Sequence, residues 1–140
     1  MKFFIAGVMR GSLSTEDFED QDYRRRIREV ILDLYPNATI IDPLEGCNEV
    51  DSNSGTEEEQ RQTFFQEIRD ASRVDVLIAY LPEASMGTAV EMYEAFVCNI
   101  TVITISPLIH NWTVKFLSHH NYLCLEDFER DPNALRIKDE

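Results

Sequence analysis

Three residues in the middle of the chain have types and spacing suited to chemistry on a bound ligand: Ser85, Gly87 and Glu91. They follow an apolar run over residues 74–81 that is typical of a buried strand, and a helix is predicted to begin near Ser85. Because helical side chains lean toward the amino end of their helix, we expect the Glu91 carboxylate to reach back over Gly87. This places a carboxylate beside free backbone N–H groups, above the carboxyl end of a strand. In open α/β sheets, ligands bind at that position.

The helix that carries Glu91 also has a stripe of larger apolar side chains. Their spacing predicts the face that packs on a sheet, and Glu91 lies off this stripe. The four residues are Met86, Val90, Tyr93 and Val97.

A second loop has the composition of a ligand-binding turn. It follows a predicted first strand over residues 2–6 and carries two glycines, a serine and an arginine, namely Gly7, Gly11, Ser12 and Arg10. Glycine allows the backbone to approach a ligand, and the arginine offers a forked array of donors. A plain strand-to-helix turn with a surface arginine explains the same residues equally well.

The elements that position these loops alternate regularly along the chain. Strands are predicted at 2–6, 38–41, 74–81, 100–105 and 121–125, with helices between them. This order predicts a single α/β domain of the flavodoxin or Rossmann-like kind over residues 1–125. Its five-stranded, mostly parallel sheet has the order 2-1-3-4-5 and helices on both faces, which brings the two loops together at the switch point.

Three segments receive structural rather than catalytic interpretations. The charge run Arg24-Arg25-Arg26 in the first helix is expected on the solvent face. The acidic stretch 42–55 has no periodicity and is predicted to be a lid-like loop. Residues 126–140 are predicted to form a charged C-terminal tail that docks loosely.

Composition excludes several functional classes. A formal net charge of −13 over 140 residues argues against binding to nucleic acid polymers or anionic membranes. No apolar run approaches the length of a membrane span. The three cysteines and three histidines lack metal-ligand spacing, and no GxGxxG fingerprint is present, so we expect neither a metal nor a cofactor. Unpaired cysteines indicate reduced thiols and a cytoplasmic location.

The loop at residues 7–11, the strand around Asp75 and the segment Ser85–Glu91 together resemble the nucleoside 2-deoxyribosyltransferase family. The closer resemblance is to its branch of 2′-deoxynucleoside 5′-monophosphate N-glycosidases. The resemblance implies that Glu91 is the catalytic carboxylate and that Asp75 assists with protons or substrate orientation. It also implies a homodimer in which a neighbouring subunit completes each active site, with Asn111 and Thr113 as candidate contributors.

The chemistry of that family agrees with a carboxylate at this position. Breaking an N-glycosidic bond develops positive charge at C1′, which a carboxylate stabilises or attacks. Members that act on free nucleosides have an aspartate where this chain has Ser85. A serine removes the negative charge and adds a donor, which favours a 5′-phosphate and a hydrolytic outcome. Two alternatives stay open: a deoxyribosyltransferase acting on free nucleosides, and a non-catalytic nucleotide-binding module.

Overall fold

Five parallel strands form one sheet in the order β2-β1-β3-β4-β5. The computed structural model describes residues 1–7, 22–43 and 56–136. The predicted sheet order is confirmed, and each strand lies within two residues of its expected start. The strands are β1 (Lys2–Gly7), β2 (Thr39–Ile41), β3 (Val76–Tyr80), β4 (Thr101–Ile105) and β5 (His120–Tyr122).

Helices cover both faces of the sheet, as predicted. They are α1 (Asp22–Leu34), α2 (Glu57–Ala71), α3 (Met86–Val97), α4 (Trp112–Leu117) and α5 (Leu125–Arg130), followed by a 3-10 turn at Asn133–Leu135. Alternate residues of β1 face opposite cores: Phe3 and Ile5 pack with α1 and α5, whereas Phe4 and Ala6 pack with α3 and α4. Within the described ranges, none of these helices is long and apolar enough to cross a membrane.

The carboxyl ends of β1 and β3 lie side by side at the centre of the sheet. Gly7, the last residue of β1, is paired with Tyr80, the last residue of β3. The chain leaves β1 toward β2 on one side and continues from β3 toward β4 on the other. This is the topological switch point, where an open α/β sheet leaves a crevice between diverging connections.

The prediction of which face of α3 packs on the sheet was wrong. Its larger apolar side chains point away from the sheet, and Met86 is 88% exposed. The buried face instead carries Thr88, Glu91, Met92 and Ala95. Because α3 has apolar residues on both sides, periodicity alone did not identify the inner one. The smaller residues on that side allow the helix to lie close to the strands.

The segment after β5 is part of the folded core, in contrast to the predicted loose tail. Phe128 and Leu135 are fully buried with α1 against one face of the sheet. The Tyr35 hydroxyl donates a 2.7 Å hydrogen bond to the Leu135 carbonyl, and Arg26 pairs with Glu129. Three parts of the sequence analysis lie outside the described residues: the loop residues 8–12, most of the predicted lid, residues 44–55, and the end of the predicted tail, residues 137–140.

Candidate active site

Glu91 lies at the carboxyl edge of the sheet, buried beneath α3. The helix starts just beyond the end of β3, and Glu91 is in its second turn, on the side packed toward the sheet and α2. The side chain is 9% exposed, and its Oε2 has no hydrogen-bond partner in the described part of the chain. Buried carboxyl oxygens are normally hydrogen-bonded, so this atom marks a place where a ligand or water is expected to bind.

Burial changes the acidity of this carboxyl group. The pKa of Glu91 is raised from its ordinary value of 4.5 to about 8. Burial is the largest cause, the nearby Glu67 carboxylate adds to the rise, and Arg24 opposes it. Glu91 is therefore mostly protonated at neutral pH in the free protein. Strongly shifted carboxyl groups at a crevice are typical of functional sites.

A buried ion pair lies next to Glu91 at the same edge. The Arg24 guanidinium donates through Nη1 to the Asp42 carboxylate at 2.6 Å and to the Ile5 carbonyl at 3.2 Å. Arg24 is 4% exposed, which contradicts the expected solvent-facing position. Ile27 and Ile31 follow Arg24 by three and seven residues and lie on the buried face of α1. This helical spacing was the sequence signal that Arg24 is buried.

Glu67 on α2 is a second carboxyl group that the sequence analysis missed. It is half-buried where α2 packs against α3, and burial raises its pKa while Arg24 lowers it. The negative charge of the Glu67 carboxylate opposes ionisation of Glu91 and so raises the pKa of Glu91. Glu67 lies four residues before Ala71, which is buried in α2. This helical spacing was the sequence signal that Glu67 faces inward.

An aromatic pair fills the space above the end of β1. The rings of Tyr23 and Tyr80 stack with centroids 4.3 Å apart. A Cβ added at Gly7 would lie 2.2 Å from the Tyr23 hydroxyl oxygen. Gly7 therefore makes room for this tyrosine, whereas the sequence analysis expected it to make room for a ligand. Burial raises the pKa of Tyr23 to about 12, so its hydroxyl stays protonated.

The start of α3 presents donors near an open space. The Ser85 Oγ accepts a 3.4 Å hydrogen bond from the Thr88 N–H, which makes Ser85 the helix N-cap and leaves its hydroxyl hydrogen to donate elsewhere. The N–H groups of Met86 and Gly87 belong to the first turn, where a helix has no internal acceptors. A Cβ at Gly87 would meet no atom of the described residues within 4 Å. This turn can accept an anionic group.

Asp75 and Asn111, two further predicted site residues that the structure describes, have hydrogen bonds elsewhere in the fold. Asp75 precedes β3, and its Oδ2 accepts a 2.7 Å hydrogen bond from the Lys2 backbone N–H at the amino edge of the sheet. The five residues of β3 separate it from the site by about 16 Å. Asn111 is exposed and caps α4 by accepting from the Thr113 N–H at 2.9 Å. Arg10, Gly11 and Ser12 lie outside the described residues.

The donor set does not form a metal centre in the ranges that the structure covers. Across residues 1–7, 22–43 and 56–136, no three His, Cys, Asp or Glu side chains are grouped to hold an ion. What the described site offers is two interacting carboxyl groups, a buried arginine and a helix amino terminus. This set can stabilise positive charge on one part of a ligand and bind negative charge on another.

Comparison with known proteins places the fold. No protein-family model matches the chain, and no curated protein matches it. The structure is similar to a 2-deoxyribosyltransferase from the psychrotolerant bacterium Bacillus psychrosaccharolyticus, with a TM-score of 0.70 and 19% identity over 100% of this chain and 99% of that one. It is also similar to a conserved protein from Enterococcus faecalis V583, with a TM-score of 0.71 and 17% identity over 96% and 98% of the two chains. The chain therefore has the fold of a deoxyribosyltransferase.

Proposed function

We propose that this chain is a hydrolase that cleaves the N-glycosidic bond of a (2′-deoxy)nucleoside 5′-monophosphate and releases the free base and the sugar phosphate. The observation that carries the proposal is the buried Glu91 carboxyl group at the switch point of the sheet, whose Oε2 has no hydrogen-bond partner among the described residues. Two features support it: the fold similarity to a 2-deoxyribosyltransferase, and the matching position of Glu91 in the sequence resemblance.

In the proposed mechanism, the ionised Glu91 carboxylate faces C1′ of the sugar. As the bond between C1′ and the base breaks, the carboxylate bonds to C1′ or stabilises its positive charge, and water then supplies the hydroxyl group of the product. The departing base needs a proton, and the half-buried Glu67 is the acid closest in character to that role. The two carboxyl groups titrate as a pair, and the reacting form has Glu91 ionised and Glu67 protonated. Because Glu91 is protonated in the free protein at neutral pH, this form requires that the proton moves from Glu91 to Glu67 when the substrate binds.

The amino end of α3 suits the phosphate end of the substrate. Ser85 retains a hydroxyl hydrogen, and the backbone N–H groups of the first turn face open space beside Gly87. Six helical residues rise about 9 Å from Ser85 to Glu91. The Glu91 side chain leans back toward the amino end of the helix, which shortens the distance that the substrate has to span. A phosphate bound at Ser85 therefore leaves C1′ within reach of Glu91.

We further propose a homodimer that shares its active sites. Large apolar side chains on α3 and α4 are exposed on the same face of the sheet and form the α3–α4 apolar surface: Met86, Val90, Tyr93, Val97, Trp112 and Phe116. A continuous apolar surface of this kind is typical of a protein interface, and a two-fold axis pairs it with itself. Asn111 and Thr113 flank the 77%-exposed Trp112 and in a dimer lie near the neighbouring subunit.

The proposed reaction needs no cofactor and takes place on a small molecule in the cytoplasm. Among the described residues, Cys98 and Cys124 are free and exposed, which suits a reducing compartment. The chain's charge of −13 makes a polymeric anion a poor ligand, whereas one phosphate can be bound by local donors.

A chromatographic assay of base release from a panel of nucleotides and nucleosides tests the proposal. We expect free base from a 5′-monophosphate without any acceptor base. Base exchange on free nucleosides that requires a second base would indicate a transferase instead, and binding without turnover would indicate a non-catalytic module.

The variant Ser85→Asp tests the phosphate assignment. We expect it to lose activity on the monophosphate and to lose less on the free nucleoside, because the added carboxylate repels phosphate. Equal losses on the two substrates would contradict the assignment. Ser85→Asn, which keeps a capping side chain without the charge, is the matched control.

A further inference from the structure

The buried face of α3 holds a polar group that the proposed mechanism does not use, the hydroxyl of Thr88. Thr88 is 1% exposed, and its Oγ1 has no hydrogen-bond partner among the residues that the structure describes. The Oε2 of Glu91 is likewise buried and has no hydrogen-bond partner among the described residues. A buried polar atom without a partner destabilises the fold, so two of them within one turn of a helix call for an explanation.

Helix geometry brings these two groups to the same place. Residues three apart on a helix are neighbours, with Cβ atoms about 5–6 Å apart. The side chain of Glu91 leans toward the amino end of α3, which is the direction of Thr88. A hydroxyl can donate a hydrogen bond, and an ionised carboxylate can only accept one. The backbone N–H of Thr88 already donates to Ser85, which leaves the hydroxyl as the donor on this part of the helix.

The other charged groups that face Glu91 come from α1 and α2. Glu67 on α2 is an acid whose ionised form repels a second carboxylate. Arg24 on α1 attracts a carboxylate, and it is also bonded to the Ile5 carbonyl and to Asp42. Neither group lies on the same helix as Glu91, so the relation of each to Glu91 depends on how the helices pack. Thr88 lies on the same helix as Glu91, three residues before it.

We propose that the Thr88 hydroxyl donates a hydrogen bond to the ionised Glu91 carboxylate and holds it in the orientation that faces C1′. Thr88 is then a positioning residue, and this role rests on the proposed function of Glu91. The two oxygens, Thr88 Oγ1 and Glu91 Oε2, are not bonded to each other in the structure, so the bond forms by rotation of the Thr88 side chain or of the Glu91 carboxyl group. The bond forms as the carboxylate acquires its charge, because charge-assisted hydrogen bonds are the stronger kind.

Titration of the Glu91 side chain in the ligand-free protein tests this role. The variant Thr88→Val keeps the shape and lacks the donor, and Thr88→Ser keeps the donor. With ¹³C-labelled glutamate and the Glu91→Gln variant for assignment, NMR gives the pKa of Glu91 in each protein. We expect Thr88→Val to raise that pKa by about one unit, and Thr88→Ser to leave it within a few tenths of a unit.

A purely structural role for Thr88 predicts a different result. Removing a hydroxyl that stays unpartnered would leave the titration of Glu91 unmoved in Thr88→Val, and that result would overturn the proposal. Should Thr88→Val fail to fold, Thr88→Ala, which also lacks the donor, takes its place in the same measurement.

The titration needs no substrate, so its outcome is separate from that of the base-release assay. If the parent protein releases no base, the proposed function fails, and the titration still decides whether Thr88 bonds to Glu91. If base is released, we expect the pH at which kcat/KM reaches half its maximum to rise by the same unit in Thr88→Val. A change in KM alone, with that pH unmoved, would also contradict the proposal.

Discussion

Replacing Glu91 by glutamine should remove the pH dependence that this buried acid imposes on stability. Burial raises the pKa of Glu91 from 4.5 to about 8, so the folded protein keeps a proton that the unfolded chain loses. The folded state therefore binds more protons across that window, and its stability falls as the pH rises from 4.5 to about 8. Glutamine has nearly the same shape and does not ionise, so the variant lacks this loss.

The size of the effect follows from the shift. Each pH unit within the window costs about 1.4 kcal/mol. Raising the pH from about 5 to about 8 should therefore destabilise the parent relative to Glu91→Gln by up to about 4 kcal/mol. The change with pH is the quantity to measure, because any constant difference between the buried acid and the buried amide cancels from it.

Urea unfolding of both proteins at several pH values between 5 and 9 measures this change. The matched control is the variant Glu83→Gln, because Glu83 is an exposed glutamate in the turn before α3. The stability of this variant should follow that of the parent to within about 0.5 kcal/mol at each pH. Parallel curves for Glu91→Gln and the parent would show that Glu91 is already ionised at pH 5 in the folded protein. The reasoning from its burial would then be refuted.

Two further predictions concern the neighbours of Glu91 and the α3–α4 apolar surface. Arg24→Met should destabilise the protein by about 3–5 kcal/mol in urea unfolding, because Asp42 loses its buried cation; Arg24→Met combined with Asp42→Leu should recover most of that loss. A cost below about 1 kcal/mol for the single change would contradict the buried pair. Val90→Glu should convert the dimer to a monomer in light scattering after size exclusion, whereas Arg130→Glu, on the opposite face of the sheet, should not. A monomeric parent protein would remove the dimer proposal.

The sheet was predictable because its strands have strong local signals. The apolar runs of β1, β3 and β4 are buried on both faces, and turn residues bound each of them. Alternation with helices then required parallel strands and crossover connections, which leave few possible orders. The position of Glu91 followed from the same pattern, since it depends only on where β3 ends and α3 begins.

The surroundings of Glu91 were not predictable from residue types alone. Charged residues are usually exposed, so Arg24 and Glu67 were assigned to solvent or passed over, although both are spaced with buried apolar neighbours. Likewise, the large side chains of α3 were assigned to the core because a single chain's hydrophobicity does not distinguish a core face from an interface. The role of Asp75 came from the family resemblance, whereas its place at the start of β3 puts it at the amino edge of the sheet, opposite the edge where Glu91 lies.

The acid-rich segment after β5 shows how composition conceals packing. Leu125, Phe128 and Leu135 are the apolar positions in a stretch dominated by charge, and all three are buried against α1 and the sheet. The spacing of three residues between Leu125 and Phe128 in α5 was a helical signal too short to outweigh the surrounding charges.

The central claim is that Glu91 acts directly on the sugar carbon, and turnover by Glu91→Gln tests it most directly. The unfolding experiment establishes whether this variant is folded, so lost activity can be assigned to the missing carboxylate. We predict that the parent releases base from a nucleoside 5′-monophosphate and that Glu91→Gln does so at least about 1,000-fold more slowly under saturating substrate. A folded Glu91→Gln protein that releases base at the parental rate would contradict the account.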